Sequence, residues 1–239
     1  MYALQPHNAA LPSGRSKRRR PHIYPGGATF SVSFRLAGSI TRPAYYRIRA
    51  LYERYGQTVP RDVYWAATAE ERIGFRQFLA GTTDRRSVNG PYHLHHDPEC
   101  RRILLDTIAF KEGEHYETLA LSPMPNHVHW TVHHTSRTWH MGQLIAQVKS
   151  YSAKRSNEHL GLTGQPYWEE ESWDHILDTQ RELERDVNYT LANAQEAHLV
   201  DDWRDWPGNY VHPGCLAYAP RARWKEKNSP TRVPTAARH

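Results

Sequence analysis

A disulfide framework is excluded at the outset, because only two cysteines, Cys100 and Cys215, occur in 239 residues and their spacing suits no metal site. So low a count fits a reducing, cytoplasmic compartment. No run approaches 18 apolar residues, and no hydrophobic region follows the basic N-terminus. Neither a membrane span nor a secretion signal is therefore expected. No P-loop pattern occurs, which argues against nucleotide-driven chemistry. No repeat divides the chain. Acidic residues are outnumbered, 25 against 31 basic ones, for a net charge of +6. That balance favours a polyanionic partner without defining a function.

Histidine and large aromatics are abundant. Eight Trp and 14 Tyr offer faces on which exposed bases could stack, although most aromatic rings pack in cores. Residues 1–27 read as a flexible basic arm, in which Arg15, Lys17, Arg18, Arg19 and Arg20 sit among Pro, Gly and Ser. Such an arm either stays solvated or lies along phosphates. A folded domain is expected over 28–206 and an irregular tail over 207–239. Within the domain, Phe30, Val32 and Phe34 alternate with polar residues as in a half-buried strand. Helices are expected over 42–56, 68–81, 97–110, 141–161 and 179–200, with Asp97 capping the third. On the 141–161 helix, Lys149, Lys154 and Arg155 lie off the apolar stripe of Leu144, Ile145 and Val148. Residues 167–177 read as extended.

Two His-x-His triplets occur, His93 to His95 and His127 to His129. Random placement of 16 histidines in 239 residues yields about one such triplet, so spacing alone proves nothing. The first triplet reads as a loop or short strand entering a helix. The second lies in "LSPMPNHVHWTVHH", the second strand of a hairpin that turns at Pro123–Asn126. Alternation puts His127, His129 and Thr131 on one face and Val128, Trp130 and Val132 on the other. Two parallel imidazoles can share one cation, but a third ligand must come from elsewhere. In the last helix Tyr189 and Asn193 are four apart and share a face roughly 160–200° from the Leu183, Val187, Leu191 stripe. Either they form a nucleophile and a third ligand, or they are a surface phenol beside a solvated amide.

"MPNHVHW" resembles the signature of the HUH (His-hydrophobe-His) single-tyrosine transposases. Three further segments, in order, are similar to those of their REP-associated branch: "MGQLIAQVKSYSAKRSN", "QPYWEEESWDHIL" and "NYTLANAQEAHLV". "ATFSVSFRL" resembles the family's opening strand, and the likeness runs from about residue 28 to 200. It implies an α+β fold, an RRM-like (ferredoxin-like) antiparallel sheet flanked by helices, with the His strand central and Tyr189 on a neighbouring helix. By the same resemblance His127, His129 and Asn193 hold a divalent metal, Mg²⁺ or Mn²⁺, and Tyr189 is the nucleophile. Tyr151 and the basic residues around it would lie near bound DNA, and His93 and His95 have no metal role. The implied activity is single-strand nicking and strand transfer on hairpin DNA through a 5′-phosphotyrosine, by a monomer, although related enzymes exchange their tyrosine helix in dimers. Two departures stand out. The family's Asn-Pro-Val is Asn193-Ala194-Gln195, and its Gly before Leu-Val is His198. Without the proline the helix should run on past Asn193. The departures also leave open a hairpin-binding protein that no longer nicks, or a metal-dependent hydrolase with no covalent step.

Overall fold

In a computed structural model the described residues are 1–17, 21–37, 50, 54, 93–197 and 199–220. The helices expected over 42–56 and 68–81 fall outside them apart from residues 50 and 54, as do Arg18, Arg19, Arg20 and His198. Strands β1 (Gly14–Lys17) and β2 (Pro21–Tyr24) pair with each other. The main sheet contains β3 (Thr29–Arg35), β4 (Tyr116–Pro123), β5 (His127–His134), β6 (Trp173–Ile176) and β7 (Tyr210–Val211), in the order β6-β3-β5-β4-β7. Every pairing is antiparallel, and the His strand β5 is central. Four α-helices are seen among the described residues: α1 (His93–His96), α2 (Pro98–Ala109), α3 (Met141–Leu160) and α4 (Gln180–Glu196). None is long and apolar enough to cross a membrane.

The helix boundaries follow from local chemistry. The Asp97 carboxylate accepts the amides of Glu99 and Cys100, satisfying two donors that the first turn of α2 leaves orphaned. Thr179 and Glu182 make a reciprocal capping box on α4. Gly161 ends α3 in a left-handed conformation, φ 68°, that costs glycine little. The first His triplet is a helical turn, α1, rather than the expected loop or strand, since Asp97 and Pro98 start the next helix directly behind it.

The sheet separates two chemistries. On one face Phe30, Val32, Phe34, Val128, Trp130 and Val132 bury against Leu104, Ile108, Leu144, Ile145 and Val148 of α2 and α3. On the other, Leu183, Val187 and Leu191 of α4 pack on Leu119 and Ala120. Lys149, expected among the exposed basic residues, is instead buried. Its ammonium donates to the carbonyls of Glu169 and Glu170, 2.8 Å each, and so ties α3 to the following loop.

Residues near both ends of the described chain make contacts with the rest of the fold. The Tyr2 hydroxyl donates to Glu117 at 2.9 Å, and His22 Nδ1 meets Asp174 Oδ1 at 2.5 Å. A Cβ on Gly142 would come within 2.4 Å of the Tyr24 ring, so β2 rests directly on the start of α3. At the other end β7 extends the sheet along β4, and Trp203, Cys215 and Tyr218 pack under α4. A two-residue strand and short 3₁₀ turns leave no periodicity for a sequence reading to find.

Trp130 is fully buried, meets Tyr116 edge to face at 4.9 Å, and donates its indole N–H to Thr118. Trp130→Ala should cost about 3–5 kcal/mol of stability. Trp173→Ala, at a site 53% exposed, should stay within about 0.5 kcal/mol. Urea denaturation of both variants checks the contrast, and equal losses would contradict the packing described.

Candidate active site

Every residue of β5 is buried, so each of its four imidazoles needs a partner inside the protein. His134 has two, accepting the Gly27 amide at Nδ1 and donating from Nε2 to the Trp139 carbonyl. His133 Nδ1 bonds the Thr29 hydroxyl at 3.0 Å. These two are accounted for by structure. The other two meet each other: His127 Nε2 and His129 Nε2 lie 3.0 Å apart. His127 Nδ1 faces Asn126 Oδ1 at 2.8 Å, and an amide oxygen accepts only, so the proton sits on Nδ1 and the Nε2 lone pair is left available. Burial, then the nearby charges of His129 and Arg35, push the His127 pKa well below its ordinary value. A neutral imidazole is the ligand form, so the donor set fits a cation.

Helix α4 brings the phenol to this face, with Asn193 one turn further along. The Tyr189 ring packs edge-on against His129, with centroids 5.2 Å apart. Asn193, 5% exposed, donates from Nδ2 to the Tyr189 carbonyl at 3.0 Å. The helix continues through Glu196, past Asn193, as the absence of proline requires. Residues 190–195 are buried all round the helix, with Ala194 packed on Met124 and Trp206. The face opposite the apolar stripe is therefore covered, although Tyr189 itself remains 40% exposed. Burial raises the Tyr189 pKa, with Asn193 opposing and Glu196 and Asp186 adding to the rise. The phenol is thus protonated near neutrality.

Tyr151, Lys154 and Arg155 stand exposed on α3, across the sheet from the histidine pair, with Arg155 bonded to Glu158 at 3.2 Å. Arg15 is exposed on β1. Two residues at the site escaped the sequence reading. Arg35 is the register partner of His127, and Asp186 accepts the Thr131 hydroxyl at 2.7 Å beneath α4. Arg35 could have been found as the last polar position in the alternation of β3. Asp186 left no such signal, since a helical carboxylate beside an apolar stripe reads as a solvated flank.

Burial raises the Asp186 pKa, partly offset by hydrogen bonds from Ser31 and Thr131. A raised carboxyl pKa means stability that is present below the ordinary carboxylate range and lost as pH climbs through the folded value. Asp186→Asn should therefore exceed the parent in stability by on the order of 1 kcal/mol at pH 8. That advantage should shrink toward pH 5. Chemical denaturation in chelator at both pH values tests this, and a pH-independent difference would refute it.

No protein-family model matches the chain, and no curated protein matches it. Among solved structures, that of a REP-associated tyrosine transposase bound to a REP hairpin aligns with a TM-score of 0.50 at 16% identity. The alignment covers 94% of this chain and 98% of the other. The two share a fold.

Proposed function

We propose that this chain is a metal-dependent single-strand DNA endonuclease and strand transferase of the HUH single-tyrosine type, acting on hairpin DNA as a monomer. The observation that carries the reading is Tyr189 packed edge-on against His129 while His129 faces His127 across 3.0 Å. A nucleophile thereby stands beside a pair of cation ligands on one side of the sheet.

His127, His129 and Asn193 would hold the cation. Two imidazole nitrogens and an amide oxygen would suit a divalent cation such as Mg²⁺ or Mn²⁺ that keeps open positions for water and a phosphate oxygen. When bound, the ion polarises the scissile phosphate and offsets charge on its oxygens. Arg35 adds a permanent cation beside His127, suited to a phosphate oxygen. The Tyr189 oxygen attacks phosphorus, its bond to the DNA 3′-oxygen breaks, and a 5′-phosphotyrosine and a 3′-hydroxyl result. The phenolic proton needs an acceptor, and Glu196 and Asp186 are carboxylates whose charges reach it. Reversal rejoins the strand without a nucleotide, because the covalent link keeps the phosphodiester energy. Arg15, Lys17, Arg18, Arg19 and Arg20 with Tyr151, Lys154 and Arg155 form the proposed DNA-facing set, and Lys149 leaves it because two carbonyls hold its ammonium.

The decisive test incubates full-length protein with Mn²⁺ and labelled hairpin oligonucleotides from the flanks of its own gene. A covalent protein–DNA band should form on a denaturing gel. Tyr189→Phe should abolish it, as should His127→Ala or His129→Ala, while Tyr151→Phe and His93→Ala retain it. Binding without an adduct in the parent protein would leave a hairpin-binding protein that does not cut.

The role of the basic segment is tested by charge rather than by truncation, because residues 2 to 8 make structural contacts. Replacing Arg15, Lys17, Arg18, Arg19 and Arg20 with Gln should flatten the salt dependence of affinity by up to about 3.5 units, at about 0.7 per phosphate on single strands. The nicking position should not move. Salt titrations on one hairpin measure it, and an unchanged slope would mean that this segment does not touch DNA.

A further inference from the structure

Across the sheet from the proposed active site, the segment containing the first His triplet brings together a different set of donors. Asp97 caps α2, Cys100 lies in the first turn of that helix, and His159 lies in the last turn of α3. One carboxylate oxygen, the sulfur and one imidazole nitrogen all lie within 4.8 Å of one another. The His159 Nε2 to Asp97 Oδ2 distance is 2.9 Å, while the other Asp97 oxygen is fixed by the amides of the cap. A second observation points to a ligand. The hydroxyls of Ser156 and Tyr167 lie close to the Cys100 sulfur and to each other. These side chains are 1% and 5% exposed, and among the described residues neither oxygen has a hydrogen-bond partner of ordinary geometry. A neutral thiol is a poor acceptor and leaves both hydroxyls largely unsatisfied, whereas a metal-bound thiolate accepts from both.

We infer that Asp97, Cys100 and His159 form a second metal site, for Zn²⁺ or a similar borderline cation, that clamps the start of α2 to the end of α3. Mixed sulfur, nitrogen and oxygen donors select such an ion over Mg²⁺ or Ca²⁺. Three protein ligands leave the fourth position to solvent at the exposed rim, where His159 is 40% accessible. Binding replaces the Cys100 proton, which leaves to buffer. The site is independent of the cleavage reaction, and its ligand set differs from the histidine pair in one respect that can be seen spectroscopically: it contains sulfur.

The experiment titrates Co²⁺ into metal-free, full-length protein and follows the near-ultraviolet thiolate-to-cobalt charge-transfer band. The band should appear in the parent, vanish in Cys100→Ser, and persist in Cys215→Ser and in the double variant His127→Ala, His129→Ala. Should Cys100→Ser fail to fold, His159→Gln at the rim serves instead and should weaken the Co²⁺ affinity read from the band at least about tenfold. Absence of the band from the parent overturns the site. So does a band that survives Cys100→Ser, or one that His159→Gln leaves unweakened.

Discussion

His127 and His129 meet through their Nε2 atoms in the fully buried middle of the sheet, and much of the structure serves that contact. With the His127 Nδ1 proton donated to Asn126, its Nε2 turns a lone pair toward His129. A proton from His129 or a cation can satisfy it, and burial opposes charging His127. The strand has thus created a demand that the two imidazoles meet by pairing with each other.

The surroundings are arranged around this demand by the alternation of the sheet. The same strand that turns its imidazoles toward α4 turns Val128, Trp130 and Val132 into the main core, so the apolar packing that stabilises the molecule also fixes the histidines in position. A one-residue slip of β5 would exchange the two faces, burying imidazoles among Leu144 and Val148 and presenting a tryptophan to Tyr189. Register is held on both sides, by β3 through Ser33 opposite His129 and by β4 through Ser122 opposite the same residue.

Helix α4 supplies the remaining parts because it is buried unevenly along its length. Its first turns are half-exposed and carry the apolar stripe, whereas its last turns are enclosed by the sheet, Met124 and Trp206. Ala194, directly after Asn193, lets the helix continue, and its methyl group occupies that enclosed space. Asn193 consequently stays within a regular helical turn, bonded to the carbonyl of Tyr189, so the phenol and the amide are positioned by one rigid element.

Local pattern alone determined the hairpin, the faces of β5, the caps at Asp97 and Thr179 and the stretches of α2, α3 and α4, because these depend on side-chain periods of 2 and 3.6 and on hydrogen bonds a few residues long. The likeness of four short motifs added the order of elements. Tertiary structure alone decided which charged residues are available. Lys149 reads as a free cation on its helix but is held by carbonyls twenty residues away, while Asp186 reads as solvated but is half-buried and bonded to Thr131. It also drew Tyr2 and Val211 into the sheet region from segments with no periodicity of their own, and brought Asp97, Cys100 and His159 within 4.8 Å of one another. The physical reason is the same in each case: burial and partnership of a polar group depend on what packs opposite it, and for these residues that lies far along the chain.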